Sequence, residues 1–198
     1  KKQNISIKFD ETRVSLFFSP QGYAVTKGIL PLIKEAKETI NVSIFFLTHN
    51  KISKALVDAK ERGVKVRVIL DATAATNGYS KHNYLRENGI DVKVESWGGK
   101  MHMKAAVIDS KHIIVGSMNW TLAGEKKNDE NTILINNSPE LGIQLFLFFE
   151  KMWNSIPDSY LQKDPFPESI ESGTSCYDLI DNDFDDIIDA NEKECLKK

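Results

Sequence analysis

MHMKAAVIDSKHIIVGSMNW, residues 101–120, is the stretch on which the reading of this chain turns. Two apolar runs flank a polar turn at Ser110 and Lys111, which predicts a β-hairpin. Side chains two apart on a strand share a face, so His102 projects with Lys104, and Ser117 with Asn119 where the second strand stays extended. Ala105 to Ile108 carry the first strand inward to Asp109, and Gly116 leaves room beside the polar pair. Side by side, the two strands gather an imidazole, an ammonium, a hydroxyl and a carboxamide into one patch. Phosphoryl transfer needs those parts: a nucleophile or base, a cation, and neutral donors for the charge on phosphorus oxygens.

Strand-like and helix-like segments alternate on both sides of the hairpin. VSLFFSP (14–20), NVSIFFL (41–47), VKVRVILD (64–71), DVKVES (91–96) and NTILIN (131–136) read as strands. ILPLIKEAKETI (29–40), KISKALVDAKERG (51–63), a short piece around Tyr84 to Asn88, and the run from Pro139 to Trp153 read as helices. TAATNGYSKHN (73–83) reads as a polar loop. This order predicts an α/β fold: a mixed, largely parallel sheet with helices on both faces. The pattern dissolves at Pro157, so a body over 1–156, a Pro- and Ser-rich linker over 157–175 and a separate acidic segment over 176–198 are expected.

The chain has 198 residues, of which 41% are hydrophobic and 27% charged, enough for one domain with its own core. No apolar run approaches the roughly 20 residues that cross a bilayer; LGIQLFLFFEKMW from Leu141 reads as an amphipathic helix. The start at Lys1 rather than Met reads as trimmed, which leaves open a preceding signal peptide or anchor. The net charge of −2 hides an asymmetry. From Glu168 onward ten acidic residues face three lysines, whereas residues 1–167 hold 23 basic and 18 acidic residues. A mildly basic body suits a phosphate-bearing partner. Both cysteines, Cys176 and Cys195, enclose one short acidic segment, which predicts a disulfide loop and an extracytoplasmic, oxidising location.

The spacing His102-x-Lys104-x4-Asp109, followed by Gly116-Ser117-x-Asn119, resembles the signature of the phospholipase D superfamily. FFLTHNKISKALVDAKERGVKVRVILD (45–71) is similar to the strand–helix–strand that precedes the motif in small bacterial members, and Glu130 falls where the family carries an acid that hydrogen-bonds the catalytic histidine. The motif occurs once, and single-motif members of this length resemble the bacterial Nuc-type endonucleases, homodimers that build one active site across a twofold axis. The resemblance implies a metal-independent phosphodiesterase, with no cofactor for catalysis, working through a phosphohistidine on His102. Lys104 and Asn119 would hold the nonbridging oxygens, with Ser117 helping or serving only as a strand-end hydrogen bonder. Glu130 would orient the imidazole, and Asp109 completes the motif as a structural partner rather than a base. His49 at a strand end and Lys100 before the motif are further candidates for substrate contact. Lys126 and Lys127 could line a phosphate-tracking groove, and Trp97 and Trp120 could stack on bases or simply pack.

The expected substrate is DNA or RNA. A phospholipase D or phosphatidyl transferase acting on lipid headgroups is the alternative, and a non-catalytic nucleic-acid or membrane-surface binder is the contrasting class. In the tail, Asp181, Asp183, Asp185, Asp189 and Glu192 occupy the first, third, fifth, ninth and twelfth positions of an EF-hand-like loop, with Ile187 lending its carbonyl. The segment also resembles Cys-flanked, Asp-rich calcium repeats, which implies a structural Ca2+; Asp186 stands where such a loop wants glycine. A disordered acidic tail is the opposing expectation.

Overall fold

The computed structural model describes residues 4–95 and 100–165, and from the C-terminal segment 176, 177, 179, 181, 187, 188, 195 and 196. Cys176 and Cys195 are joined by a disulfide with their Cα atoms 5.7 Å apart. Trp97 and the expected calcium ligands Asp183, Asp185, Asp189 and Glu192 lie outside the described residues, as does Asp186.

β-Branched and aromatic runs form eight strands: β1 (Asn4–Phe9), β2 (Thr12–Phe18), β3 (Thr39–Ile44), β4 (Lys65–Leu70), β5 (Asp91–Val94), β6 (Lys104–Ile108), β7 (His112–Gly116) and β8 (Asn131–Asn136). They make one sheet in the order β1-β2-β8-β7-β6-β3-β4-β5. The sheet is mixed, as expected, but its balance is not. Only β3–β4 and β4–β5 pair in parallel, while the other five pairings are antiparallel. The cause is local: the β6–β7 connection is a tight turn, and the strands that follow come back without a helical crossover long enough to reverse them. At that turn the Lys111 N–H donates to the Ile108 carbonyl at 3.2 Å. Asp109 and Ser110 both take positive φ, 50° and 51°, the mark of a type I′ hairpin turn.

Helices α1 (Leu30–Glu35), α2 (Asn50–Glu61), α3 (Ala72–Ala75), α4 (His82–Glu87), α5 (Leu122–Lys126) and α6 (Pro139–Ser155) complete the body, with a π-helical turn at Val25–Ile29 leading into α1. β1, α3 and α5 were not anticipated, and the helix expected over 29–40 gives way at Ala36 because Thr39 already pairs with Lys65. Strand alternation sorts the core into two layers. Val66, Val68 and Leu70 of β4 face Ile52 and Leu56 of α2, while Ile69 faces Phe149, Met152 and Trp153 of α6. α6 can lie this close because Gly142 has no side chain: a Cβ there would stand 2.2 Å from the Ser110 carbonyl oxygen. α6 covers β3, β6 and β7, and at one edge of the sheet β1 keeps Ile5, Ile7 and Phe9 between 52% and 60% exposed.

The stretch beginning at Pro157, expected to open the linker, stays on the body as far as residue 165. Tyr160 is buried within a 3₁₀ turn at Asp158–Leu161. Asp164 then accepts from His82 Nε2 at 2.8 Å and from Arg86 Nη1 at 2.7 Å, pinning the segment to α4.

Candidate active site

β3 ends and β6 begins at the same edge of the sheet, because the two pair antiparallel with Ile44 opposite Lys104. Phe45 continues β3 by one residue, its N–H donating to the Met103 carbonyl at 2.8 Å. That contact sets an aromatic ring beside the motif. The rings of Phe45 and His102 lie 4.6 Å apart between centroids, and Lys104 Nζ stands 5.0 Å over the Phe45 ring. Lys104 is buried and donates to the His102 carbonyl at 2.8 Å, whereas the His102 side chain reaches solvent. Asn119 arrives from beyond β7, and its Oδ1 accepts the Phe46 N–H at 3.4 Å. His102, Lys104 and Asn119 thus meet around Phe45 and Phe46.

The electrostatics follow from this packing. Partial desolvation, followed by the neighbouring Lys104 charge, holds the His102 imidazole below its ordinary value; Asp71 opposes the shift. Burial also lowers the Lys104 pKa, against the pull of Glu130 and Asp71. The result is a neutral, solvent-facing imidazole beside a desolvated ammonium, the pairing an attack on an anionic phosphodiester requires.

Ser117 is exposed, donates to Glu130 Oε2 and accepts the Asn131 N–H at 3.1 Å, so it is engaged in strand-end hydrogen bonding. Glu130 holds Asn128 with its other oxygen at 3.2 Å. The expectation that Glu130 orients His102 does not hold within one chain: its carboxylate is occupied on the β7–β8 side, while the imidazole packs on Phe45. The room that Gly116 leaves beside the polar pair is taken by the β8 backbone, since a Cβ there would stand 2.3 Å from the Asn131 carbonyl oxygen.

Asp109 is not at the site. It sits at the opposite end of β6, five residues or about 16 Å along the strand from Lys104. Its carboxylate accepts the N–H groups of Lys37, Glu38 and Thr39 at 3.0, 2.8 and 3.0 Å. His49 is also removed from substrate contact, because it is 4% exposed and its Nε2 lies 3.2 Å from buried Glu125. Lys100 Nζ donates to Thr73 Oγ1 at 2.7 Å, which ties it to α3. Trp120 is a core residue at 1% exposure, its N–H on the Phe46 carbonyl, so it cannot stack on a base. Lys126 lies 3.5 Å from Glu125 and over the Tyr23 ring.

Two contributors escaped the sequence reading. Phe45 is one, read only as part of a strand. Asp71 is the other: it is 1% exposed, caps α3 by accepting the Ala74 N–H at 3.1 Å, and accepts the Met101 N–H at 2.8 Å, one residue before His102. Its place at the carboxyl end of β4, the edge where open α/β sheets bind ligands, was the available signal.

Comparison with known proteins agrees with this geometry. Residues 29–153 match the family described as "Cardiolipin synthase, PLD-like domain". A protein named phospholipase D from Rickettsia conorii is 37% identical over 137 residues, which cover 69% of this chain and 68% of that protein. Human mitochondrial cardiolipin hydrolase is 32% identical over 71% of this chain and 56% of its own length. Among solved structures, the phospholipase D family member Nuc from Salmonella typhimurium superposes with a TM-score of 0.70 at 31% identity, covering 79% of this chain and 99% of Nuc. NucT from Helicobacter pylori gives a TM-score of 0.69 at 26% identity, covering 74% of this chain and 98% of NucT. With the motif assembled at one sheet edge and the match running through every strand from β3 to β8, the chain belongs to the phospholipase D superfamily of phosphodiesterases.

Proposed function

We propose that this chain is a metal-independent endonuclease that cleaves DNA or RNA through a phosphohistidine, in a site shared by two copies. The observation that carries the reading is the solvent-facing His102 imidazole, held neutral against Phe45 and beside Lys104. A nitrogen of His102 attacks phosphorus while the bond to the leaving oxygen breaks, and that oxygen must take up a proton. Water then gives its oxygen to phosphorus, breaking the P–N bond, and loses a proton to a base. An imidazole, which can give and take a proton near neutral pH, suits both transfers.

No second imidazole of this chain can supply it. His49 and His82 are buried against Glu125 and Asp164, and His112 begins β7 at the far end of the hairpin, its Nδ1 accepting the Asn137 N–H at 3.2 Å. His102 of a second copy is the group that fits, which supports a homodimer. Lys104 and Asn119 would bind the nonbridging oxygens, and no metal enters the reaction. The described cysteines, oxidised to a disulfide, favour an extracytoplasmic location.

The test is cleavage of single-stranded DNA in excess chelator, expected to persist in the native protein and to vanish in His102→Ala. Activity that depends on added metal would overturn the mechanism. The names of the rickettsial and human relatives favour a second reading, hydrolysis of phospholipid headgroups by the same histidine. Choline release from phosphatidylcholine, without nucleic-acid cleavage, would establish it instead.

A further inference from the structure

From the cleft between α1 and α2, we infer a second binding surface: a track for the sugar–phosphate backbone of single-stranded nucleic acid that begins at the active edge and runs away from it. The cleft is open to solvent and has a volume of about 370 Å³. Its floor is apolar, made by Leu30 and Ala55, and its walls carry Lys34, Lys51, Lys54 and Arg62 against the single carboxylate of Asp58. The cleft does not stand alone. A hollow of about 530 Å³ shares Leu30 and Lys34 and adds Lys37 and Glu35. A third, of about 260 Å³, shares Lys54 and adds Lys81 and Tyr84. Six cations therefore face two carboxylates along one continuous surface, in a body whose excess of basic over acidic residues is only five.

Most of this charge is uncommitted. Lys54 is paired with Asp58 at 2.8 Å, and Arg62 donates to the Ile33 carbonyl at 3.0 Å. Lys34, Lys37, Lys51 and Lys81 make no ion pair among the described residues. One end of the track adjoins the site: Lys81 N–H donates to the Leu47 carbonyl at 3.0 Å, two residues beyond Phe45, and α2 starts at Asn50 just after. From Lys51 to Arg62 the track follows α2 for about 16 Å, room for several phosphates.

A flat anionic membrane fits this surface poorly. The cations stand along an open groove, and none of the exposed large apolar side chains that would enter a bilayer belongs to α1 or α2. A strand fits: phosphates meet the lysines, and the half-exposed Tyr84 ring between Lys54 and Lys81 offers a stacking surface. The inference deepens the nuclease reading, because it gives that reading a substrate long enough to reach past the site.

The test uses a labelled phosphorothioate oligothymidylate of ~20 nucleotides, which resists cleavage, and the full chain carrying Lys34→Glu with Lys51→Glu. A control carries the same charge reversal on the opposite sheet edge, Lys8→Glu with Arg13→Glu. The cleft variant should bind about tenfold more weakly, and log K should depend less steeply on log salt by about 0.7 per lost phosphate contact. The control should bind like the native protein, and hydrolysis of bis(4-nitrophenyl) phosphate should be the same in all three. Unchanged affinity in the cleft variant, or equal losses in both variants, would overturn the track. Loss of binding to phosphatidylglycerol vesicles with oligonucleotide binding intact would assign the surface to a membrane and also overturn it. Should the native protein fail to cleave nucleic acid while its oligonucleotide binding still depends on Lys34 and Lys51, the nuclease reading falls and the track stands.

Discussion

His102 is the most exposed of the four histidines, and what surrounds it sets its pH behaviour. Desolvation and Lys104 keep it below the ordinary 6.5, so the imidazole is free to attack across the neutral range. The acid limb of kcat/KM should therefore have its midpoint below about 6.5, and a midpoint well above that value would remove His102 from the nucleophile's place. Asp71 acts in the opposite direction, so Asp71→Asn should shift the limb further toward acid, which an NMR titration of the His102 ring would report directly. The meeting of His102, Lys104 and Asn119 was legible from the motif they form rather than from strand periodicity, because β7 ends at Gly116 and the register that sets Ala105 opposite Val115 would turn Asn119 away from Lys104. The parts played by Phe45 and Asp71 were not, since they depend on which strands pair, and the β3–β6 and β4–β5 pairings join segments far apart in sequence.

Among the elements, the β6–β7 hairpin divides its labour between its two ends. At the open end it presents the site. At the turn, burial would raise the Asp109 pKa, but three backbone N–H groups bring it below the ordinary 3.8. A carboxylate held ionised in this way contributes stability that is complete above its unfolded pKa and is lost as pH falls through the folded one. Asp109→Ala should cost about 1–3 kcal/mol of stability, while turnover per folded molecule stays within about twofold; a selective collapse of turnover would return Asp109 to the catalytic set. Gly116→Ala tests the other strand. Its Cβ would drive into Asn131, and overpacking of this kind costs about 1–3 kcal/mol. Activity should fall more than stability alone predicts, because Asn119 follows Gly116 by three residues and would move with it. Thermal melts alongside kcat would separate the two effects. Most elements were legible from apolar periodicity, whereas α3 and α5 were missed because four- and five-residue helices show too little of the 3.6-residue repeat.

At the scale of the whole molecule, the proposed dimer makes catalysis a property of pairs. Mixing native and His102→Ala chains in equal amounts under exchange should leave roughly a quarter of the activity if each site needs both imidazoles; half would mean that each chain works alone. The parallel balance of the sheet was misjudged because hairpin returns are short and leave little mark in a strand-helix tally. A further consequence lies in the sheet order, where β2 pairs with β8. Thr12 Oγ1 donates to the Asn137 carbonyl at 2.9 Å, a contact between residues 125 apart in sequence. A ribosome making this chain releases β3, β4 and β5 as a parallel unit, but β2, paired with β1 alone, waits for its second neighbour until residue 136 is out. Glu130 and the Asn131 N–H that fixes Ser117 arrive with that same last strand. Such long-range closure is slow compared with helix formation. Nascent chains stalled before residue 131 should therefore stay sensitive to protease at β1 and β2, and those extended beyond the end of α6 should become resistant. The site would then be among the last things to form, complete only once β8 has joined the sheet.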